Sequence, residues 1–119
     1  MRSWLMKSLA MVAALFMLAG GPFMSTASAG AKIALVLDVG GRGDLSFNDM
    51  GFKGTDEAQA NLGVEVVEIQ SNSAADYLPN MQNAARSGKF DLIVAVGFLL
   101  ADAMAEVADQ FPDQKFAII

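Results

Sequence analysis

The feature that most constrains the fold is an alternation of short apolar runs with segments of helical periodicity. Three runs are almost continuously apolar, at 33–37 (IALVL), 92–96 (LIVAV) and 116–119 (FAII). Such runs are typical of strands buried on both faces of a parallel sheet. A further run at 64–69 mixes valines with two glutamates, and those charges predict an edge strand. The order along the chain is therefore βαβαβαβ.

This order predicts a doubly wound parallel α/β sheet. Strands joined by crossover helices must run parallel, and the crossovers are right-handed in nearly all proteins. With the charged run at one edge, we expect the strand order 2-1-3-4. The connections then leave the first and third strands toward opposite faces. The carboxyl ends of those two strands border a crevice, which is where open α/β sheets bind ligands.

Three helices are expected between the strands. The first begins in the capping sequence 46–49 and stops at Gly63. The second is predicted from Asp76 to about Ser87, and the third over 98–111. In the first helix, apolar and small residues recur at spacings of three and four and predict the face toward the sheet. These residues are Phe47, Met50, Gly54, Ala58 and Leu62.

Composition excludes several chemistries, because the 119 residues include no histidine and no cysteine. The chain therefore has no Ser-His-Asp or Cys-His nucleophile system, no disulfide, and no imidazole or thiolate ligand for a metal. Only oxygen ligands remain for a cation. Hydrolysis by a familiar triad is therefore excluded. Together with the family resemblance described below, this leads us to predict a protein that is not an enzyme and that has no metal site and no cofactor.

The first 29 residues predict a cleavable export signal. Two basic residues precede an uncharged apolar stretch at 8–19, and small residues at 27–29 suit cleavage before Gly30. The apolar stretch is shorter than the roughly 20 residues that a spanning helix needs. No cysteine follows it to accept a lipid. We therefore predict a periplasmic protein without a lipid anchor, with 30–119 as its mature part.

The mature part is acidic, because all 13 Asp and Glu residues lie in it whereas two of the 8 basic residues lie in the signal. This balance disfavours nucleic acid as a partner, since binding to phosphate backbones depends on clustered Lys and Arg.

The end of the sequence predicts a longer protein. The run 116–119 is apolar enough to lie inside a sheet, yet no covering helix follows it. The mature part is also shorter than the ~100 to 150 residues common for a domain. We expect the sequence to be an amino-terminal fragment.

Six residues follow the first and third strands and are the candidate ligand-binding residues. They are Asp38, Asp44, Phe47, Asn48, Gly97 and Phe98. The carboxylates accept hydrogen bonds, the amide donates and accepts, and the rings offer apolar faces. Arg42 is the one positive charge in the loop after the first strand. The set suits an uncharged ligand with a flat ring. An aromatic side chain stacked on a base contributes about 1 to 3 kcal/mol.

Most of these residues also have a purely structural interpretation. Phe47 is equally explained as the first inward residue of its helix, and Asp44 as a turn former. Asn48 is explained as a polar residue in a first helical turn. Asp38 either caps the loop through nearby amides or faces the crevice. Phe98 is equally explained as a packing residue.

An enzyme is one alternative, because Gly41-x-Gly43-x-x-Ser46 partly fits the dinucleotide-binding fingerprint and Glu68 ends the second strand where a ribose-binding acid belongs. The third glycine is absent, and Asp44 lies inside the phosphate turn. A second alternative is a ligand-sensing receptor module of the same binding fold.

Ordered blocks along the mature chain closely resemble the basic membrane protein family of ABC transporter substrate-binding proteins. The blocks are Val36-Leu37-Asp38-Val39-Gly40-Gly41, Gly43-Asp44, Ser46-Phe47-Asn48, Asp76-Tyr77, Asp91-Leu92-Ile93, Gly97-Phe98 and Phe111-Pro112-Asp113-x-Lys115-Phe116-Ala117-Ile118-Ile119. They cover nearly all of the mature chain at family-like spacing.

The resemblance implies a two-lobed periplasmic-binding-protein fold of the first type, with residues 30–119 as the amino-terminal part of lobe 1. It implies an ATP-driven importer with permease subunits as partners, and purine nucleosides as ligands. By position, Phe47 stacks on the base, the amide of Asn48 bonds to it, and Asp38 is a further contact. Asp44 belongs to the motif, and Gly97-Phe98 lines the site.

Overall fold

The computed structural model describes residues 30–119, and the predicted export signal at 1–29 lies outside the described residues. Four strands form one parallel sheet in the order β2-β1-β3-β4. They are β1 (Lys32–Val36), β2 (Glu65–Ile69), β3 (Leu92–Ala95) and β4 (Phe116–Ile118). The predicted order 2-1-3-4 is confirmed, with the glutamate-bearing β2 at an edge.

The register brings the carboxyl ends of the strands level. Val36 of β1 lies opposite Ile69 of β2 and Ala95 of β3. Ala95 in turn lies opposite Ile118 of β4. The segments that follow the four strands therefore emerge along one edge of the sheet.

Three helices connect the strands, namely α1 (Phe47–Leu62), α2 (Tyr77–Ser87) and α3 (Ala101–Gln110). Short 3-10 turns at Ala74–Asp76 and Phe98–Leu100 precede α2 and α3. Both α1 and α2 end at a glycine in the left-handed conformation, which a residue without a Cβ adopts without strain.

The sheet is covered on both faces. One face packs against α2 and α3 and holds the larger apolar core. Its buried residues are Ala34, Val36, Tyr77, Met81, Ala84, Ala85, Ile93, Ala95, Leu100, Met104 and Val107. The other face packs against α1 through a smaller core of Leu35, Leu37, Phe52 and Val96. Helices on both faces of a parallel sheet are the doubly wound arrangement.

The predicted inward face of α1 is wrong. Phe47, Met50 and Leu62 are exposed, and no atom lies within 4 Å of a Cβ built on Gly54. The buried residues of α1 are Asn48, Gly51 and Phe52. The close approach to the sheet occurs at Gly51, where an added Cβ would lie 3.1 Å from Val96 Cγ2. Relative to the prediction, α1 is rotated about its axis so that Asn48 faces inward. This polar residue can be buried because its amide donates to the carboxylates of Asp38 and Asp44.

Within residues 30–119, no helix has both the length and the apolar content that crossing a bilayer requires.

Candidate functional site at the carboxyl edge of the sheet

The site is formed where the strands end, because backbone hydrogen bonds continue past the strands and hold the following residues together. Val96 N donates to Val36 O at 2.9 Å, and Gly97 N donates to Ile119 O at 2.7 Å. The first loop, after β1, and the turn after β3 therefore start side by side. This is the edge at which the predicted ligand-binding residues were expected.

The first loop turns sharply between β1 and α1. Gly41 and Gly43 have φ of 60° and 93°, values that favour glycine. Leu45 also has a positive φ of 54°, and its side chain is 90% exposed. The carboxylate of Asp49 fixes this segment by accepting hydrogen bonds from the N–H groups of Gly43 and Leu45, at 2.7 and 3.0 Å.

Asp44 caps the amino end of α1 with both of its carboxylate oxygens. Oδ1 accepts from the N–H groups of Ser46 and Asp49, at 2.8 and 3.1 Å. Oδ2 accepts from the N–H and the side-chain amide of Asn48, at 3.1 and 2.8 Å. Burial of the carboxyl raises its pKa, but these hydrogen bonds outweigh burial and lower the pKa of Asp44 to about 2.

Asn48 is fully buried, and its amide lies between two carboxylates. Nδ2 donates to Asp38 Oδ1 at 2.6 Å and to Asp44 Oδ2 at 2.8 Å. Its Oδ1 is buried and has no hydrogen-bond partner among the described residues. The opposite amide orientation would place this oxygen against both carboxylates, so the two acids determine which way the amide points.

Asp38 is half-buried and uses only one of its carboxylate oxygens within residues 30–119. Oδ1 accepts from Gly40 N at 2.7 Å and from the Asn48 amide. Oδ2 accepts no hydrogen bond from any described residue. It lies beside Gly97, where an added Cβ would be 3.2 Å away, and Gly97 has a φ of 93°. Asp38 thus keeps an unused acceptor at the edge of the sheet.

Phe47 and Phe98 line an apolar recess of about 380 Å³, together with Ala101, Ile118 and Ile119. Phe47 is 54% exposed and Phe98 is 74% exposed, so neither ring is a core residue of the described structure. Phe47 directly precedes Asn48, and Phe98 directly follows Gly97. Two residues that line the recess are therefore chain neighbours of residues in or against the carboxylate cluster.

Arg42 does not supply free positive charge to this edge. Its Nη2 lies 2.6 Å from Glu68 Oε1 of β2. The guanidinium also lies over the ring of Phe52, 3.5 Å from the ring centre. The same ion pair occupies Glu68, the residue that a dinucleotide enzyme would need as its ribose-binding acid.

The six predicted residues thus form two adjoining groups. Asp38, Asp44 and Asn48 are joined by hydrogen bonds, with Gly97 against Asp38, and the two phenylalanines share the recess. Sequence reasoning missed Gln70, whose Nε2 donates to the backbone oxygen of Asp38 at 2.8 Å. It also missed Ile118 and Ile119 as lining residues. The sequence signal that could have identified them is position, because Gln70 directly follows β2 and the two isoleucines lie at the end of β4.

A second recess of about 350 Å³ lies at the opposite, amino edge of the sheet, between the end of α2 and the segment that follows α3. Since ligands of open α/β sheets bind at the carboxyl edge, the recess lined by Phe47 and Phe98 is the better candidate. The described part of the chain holds no group of three or more Asp, Glu, His or Cys residues that could bind a metal ion.

Comparison with known proteins identifies one family. Residues 31–119 match the Bmp family, described as "ABC transporter substrate-binding protein PnrA-like". An uncharacterized lipoprotein of Pyrococcus abyssi is 47% identical over 100 residues, which cover 84% of this chain and 25% of that protein. The ABC transporter nucleoside-binding protein BmpA of Lactococcus lactis is 35% identical over 92 residues, which cover 74% of this chain and 26% of that protein.

The solved structures that match this chain are also ABC transporter solute-binding proteins. An ABC transporter solute-binding protein of Aeropyrum pernix K1 superposes with a TM-score of 0.71 at 46% identity, covering 74% of this chain and 24% of that one. A solute-binding protein of Conexibacter woesei superposes with a TM-score of 0.62 at 27% identity, covering 72% and 28%. The α/β fold is thus that of ABC solute-binding proteins.

The chain spans about a quarter of the length of the curated relatives it matches. Relatives from three Pyrococcus species are named lipoproteins. The expectation that the protein lacks a lipid anchor therefore has no support from the relatives and depends only on the absence of cysteine from this sequence.

Proposed function

The chain belongs to the family of PnrA-like ABC transporter substrate-binding proteins, and on that premise we propose that it is the solute-binding component of an ABC importer that binds purine nucleosides. Residues 30–119 form one wall of the binding cleft, as the amino-terminal part of lobe 1. The protein acts in the periplasm after removal of residues 1–29, and its partners are a small-molecule ligand and the permease subunits in the membrane.

The observation that carries the proposal is the pairing of an unused carboxylate oxygen with two exposed aromatic rings at one edge of the sheet. Asp38 Oδ2 is available to accept a hydrogen bond from a base N–H or a sugar hydroxyl. Phe47 and Phe98 offer faces to a flat ring, and each base stacked on an aromatic contributes about 1 to 3 kcal/mol. A nucleoside carries both kinds of group within one small molecule.

The charge of this edge supports a nucleoside over a nucleotide. Asp44 has a pKa of about 2 and is therefore ionised at neutral pH. Arg42, the basic residue of the first loop, is paired with Glu68. A phosphate at this wall would meet carboxylates without a compensating cation from the first loop, which is unfavourable. The Lactococcus lactis relative is named a nucleoside-binding protein, which agrees with this choice.

The mechanism requires no covalent step. The ligand contacts this wall and a second wall from the other lobe, and it stabilises the closed arrangement because it makes more contacts there. The permease then recognises the closed, loaded protein. Asp38, Phe47, Phe98 and Gly97 border the ligand in this proposal, and Asp44 and Asn48 complete the polar part of the site.

Isothermal titration calorimetry of the full-length protein tests the proposal. Guanosine, adenosine and inosine are compared with ribose and with the 5′-monophosphates of the same nucleosides. We expect binding of nucleosides and no comparable binding of ribose or the monophosphates. Phe47→Ala should weaken nucleoside binding by about 1 to 3 kcal/mol. A full-length protein that binds none of the three nucleosides would contradict the proposal.

A further inference from the structure

We infer that Asn48 is a positioning residue, whose amide holds Asp38 and Asp44 side by side so that Asp38 Oδ2 alone is presented to the ligand. The inference rests on the proposed function because it concerns the same wall of the cleft. It differs from what the family resemblance implies, namely that the amide of Asn48 bonds to the base directly.

The first step is that Asn48 has no free donor for a ligand and that its one unpaired acceptor is buried. Its side-chain NH₂ has two hydrogens. Both are used, at 2.6 Å to Asp38 Oδ1 and 2.8 Å to Asp44 Oδ2. The remaining atom, Oδ1, is buried without a partner among residues 30–119. A ligand that accepted a hydrogen bond from the Asn48 amide would have to break one of two charge-assisted hydrogen bonds, which are among the stronger ones.

The second step is that the bridge matters for the geometry of the acids. Two carboxylates that share one nitrogen lie close enough to repel each other, and the donor between them offsets that repulsion. Asn48 Oδ1 is a buried acceptor without a partner among residues 30–119, which lowers the stability of the described part of the chain. The arrangement is explained if the position of the carboxylates is what the residue provides.

The third step is that Asp44 has no free oxygen either. Hydrogen bonds from Ser46, Asn48 and Asp49 occupy both of its oxygens. Asp38 Oδ2 is the one carboxylate oxygen of the pair that accepts nothing from the described chain. It lies beside Gly97, whose missing side chain leaves the approach to Oδ2 open. Asn48 therefore acts on the ligand through Asp38.

A double-mutant cycle in the full-length protein tests this role, with guanosine as the titrant. We expect Asn48→Ala to weaken binding by about 10- to 100-fold in the otherwise natural protein, since the hydrogen bond it makes to Asp38 is charge-assisted. In an Asp38→Ala background, the same substitution should change affinity by less than about threefold, because the residue it positions is gone. If the affinity loss of the double variant equals the product of the losses of the two single variants, Asn48 contacts the ligand itself and the inference is overturned.

A matched control is available in α2. Asn80 also donates its side-chain amide twice, to Gln70 O and Ser71 Oγ, but contacts neither carboxylate. Asn80→Ala should leave guanosine affinity within about twofold of the natural protein's, because Asn80 contacts neither Asp38 nor Asp44. If Asn48→Ala does not fold, Asn48→Ser retains one donor and should give a smaller loss that is again absent in the Asp38→Ala background.

A measurement without ligand separates failure of this inference from failure of the proposed function. The Asn48 amide is one of the groups that lower the pKa of Asp44 to about 2. Carbon-detected NMR titration of the Asp44 carboxyl should show a higher pKa in Asn48→Ala and an unchanged value in Asn80→Ala. An unchanged pKa in Asn48→Ala would overturn the inference, even in a protein that binds nucleosides. A raised pKa in a protein that binds no nucleoside would leave the bridge intact and remove only the proposed ligand.

Discussion

The carboxyl edge of the sheet contains two adjoining regions that differ in how far the chain itself completes them. The polar region consists of Asp38, Asp44 and Asn48, and four of its six side-chain oxygen and nitrogen atoms are hydrogen-bonded within residues 30–119. The apolar region consists of Phe47, Phe98, Ile118 and Ile119, and all four side chains are more than two-fifths exposed.

In the proposed complex the two regions have different roles. The polar region offers one acceptor in a defined place, which suits selection among ligands by hydrogen bonding. The apolar region gains burial only when something covers it. In the proposed complex it supplies much of the affinity, since stacking and apolar burial together contribute more free energy than a single hydrogen bond.

The largest expected effect separates two phenylalanines of α1. Phe52 is 3% exposed and packs in the smaller core, whereas Phe47 is 54% exposed. We expect Phe52→Ala to lower the free energy of unfolding by about 3 to 5 kcal/mol. Phe47→Ala should change it by less than about 0.5 kcal/mol, as is usual for a surface substitution. Denaturant unfolding of the two full-length variants measures both values. Equal losses would return Phe47 to the core and remove the contrast between the regions.

A smaller effect is expected from two glycines. Gly97 has a φ of 93° and lies against Asp38 Oδ2, whereas Gly54 lies inside α1 with open space around it. Gly97→Ala should destabilise the protein by about 1 to 3 kcal/mol because the backbone becomes strained. Gly54→Ala should stabilise it by about 0.5 to 1 kcal/mol because alanine is the better helix former. Thermal unfolding of both variants checks the opposite signs, and a destabilising Gly54→Ala would show that α1 packs closely at this position.

The third effect is a pH dependence confined to the polar region. The pKa of Asp44 is about 2 in the folded protein, below the ordinary value of 3.8. Its ionised form therefore favours the folded state above about pH 4, and this contribution is lost as the pH falls toward 2. Asp44→Asn should be less stable than the natural protein at pH 5, with a difference that shrinks between about pH 4 and pH 2. Urea unfolding across that range checks this, and a difference that stays constant with pH would contradict it.

Much of the fold was predictable from patterns of residue type. Continuous apolar runs identified the central strands, two glutamates identified the edge, and crossover rules then fixed the order β2-β1-β3-β4. The orientation of α1 was not predictable in this way. Helical periodicity treats Asn48 as an outward residue, but carboxylates from the preceding loop satisfy its amide donors and allow it to be buried.

The proximity of the candidate residues was predictable from the sequence, whereas their hydrogen-bond partners were not. The rule that ligands bind at the carboxyl edge brought Asp38, Asn48 and Gly97 together. It could not indicate that Asp44 would use both oxygens or that Arg42 would pair with Glu68, because those choices depend on side-chain geometry. Gln70 contributes through a contact with the backbone of Asp38, which residue types alone do not reveal.

The most direct test is to locate a bound nucleoside on the full-length protein by nuclear Overhauser effects between guanosine base protons and labelled phenylalanine rings. The proposed site requires effects from Phe47 and Phe98, which line the recess at the carboxyl edge. Effects from Phe111, which lines the recess at the amino edge, together with none from Phe47, would contradict it.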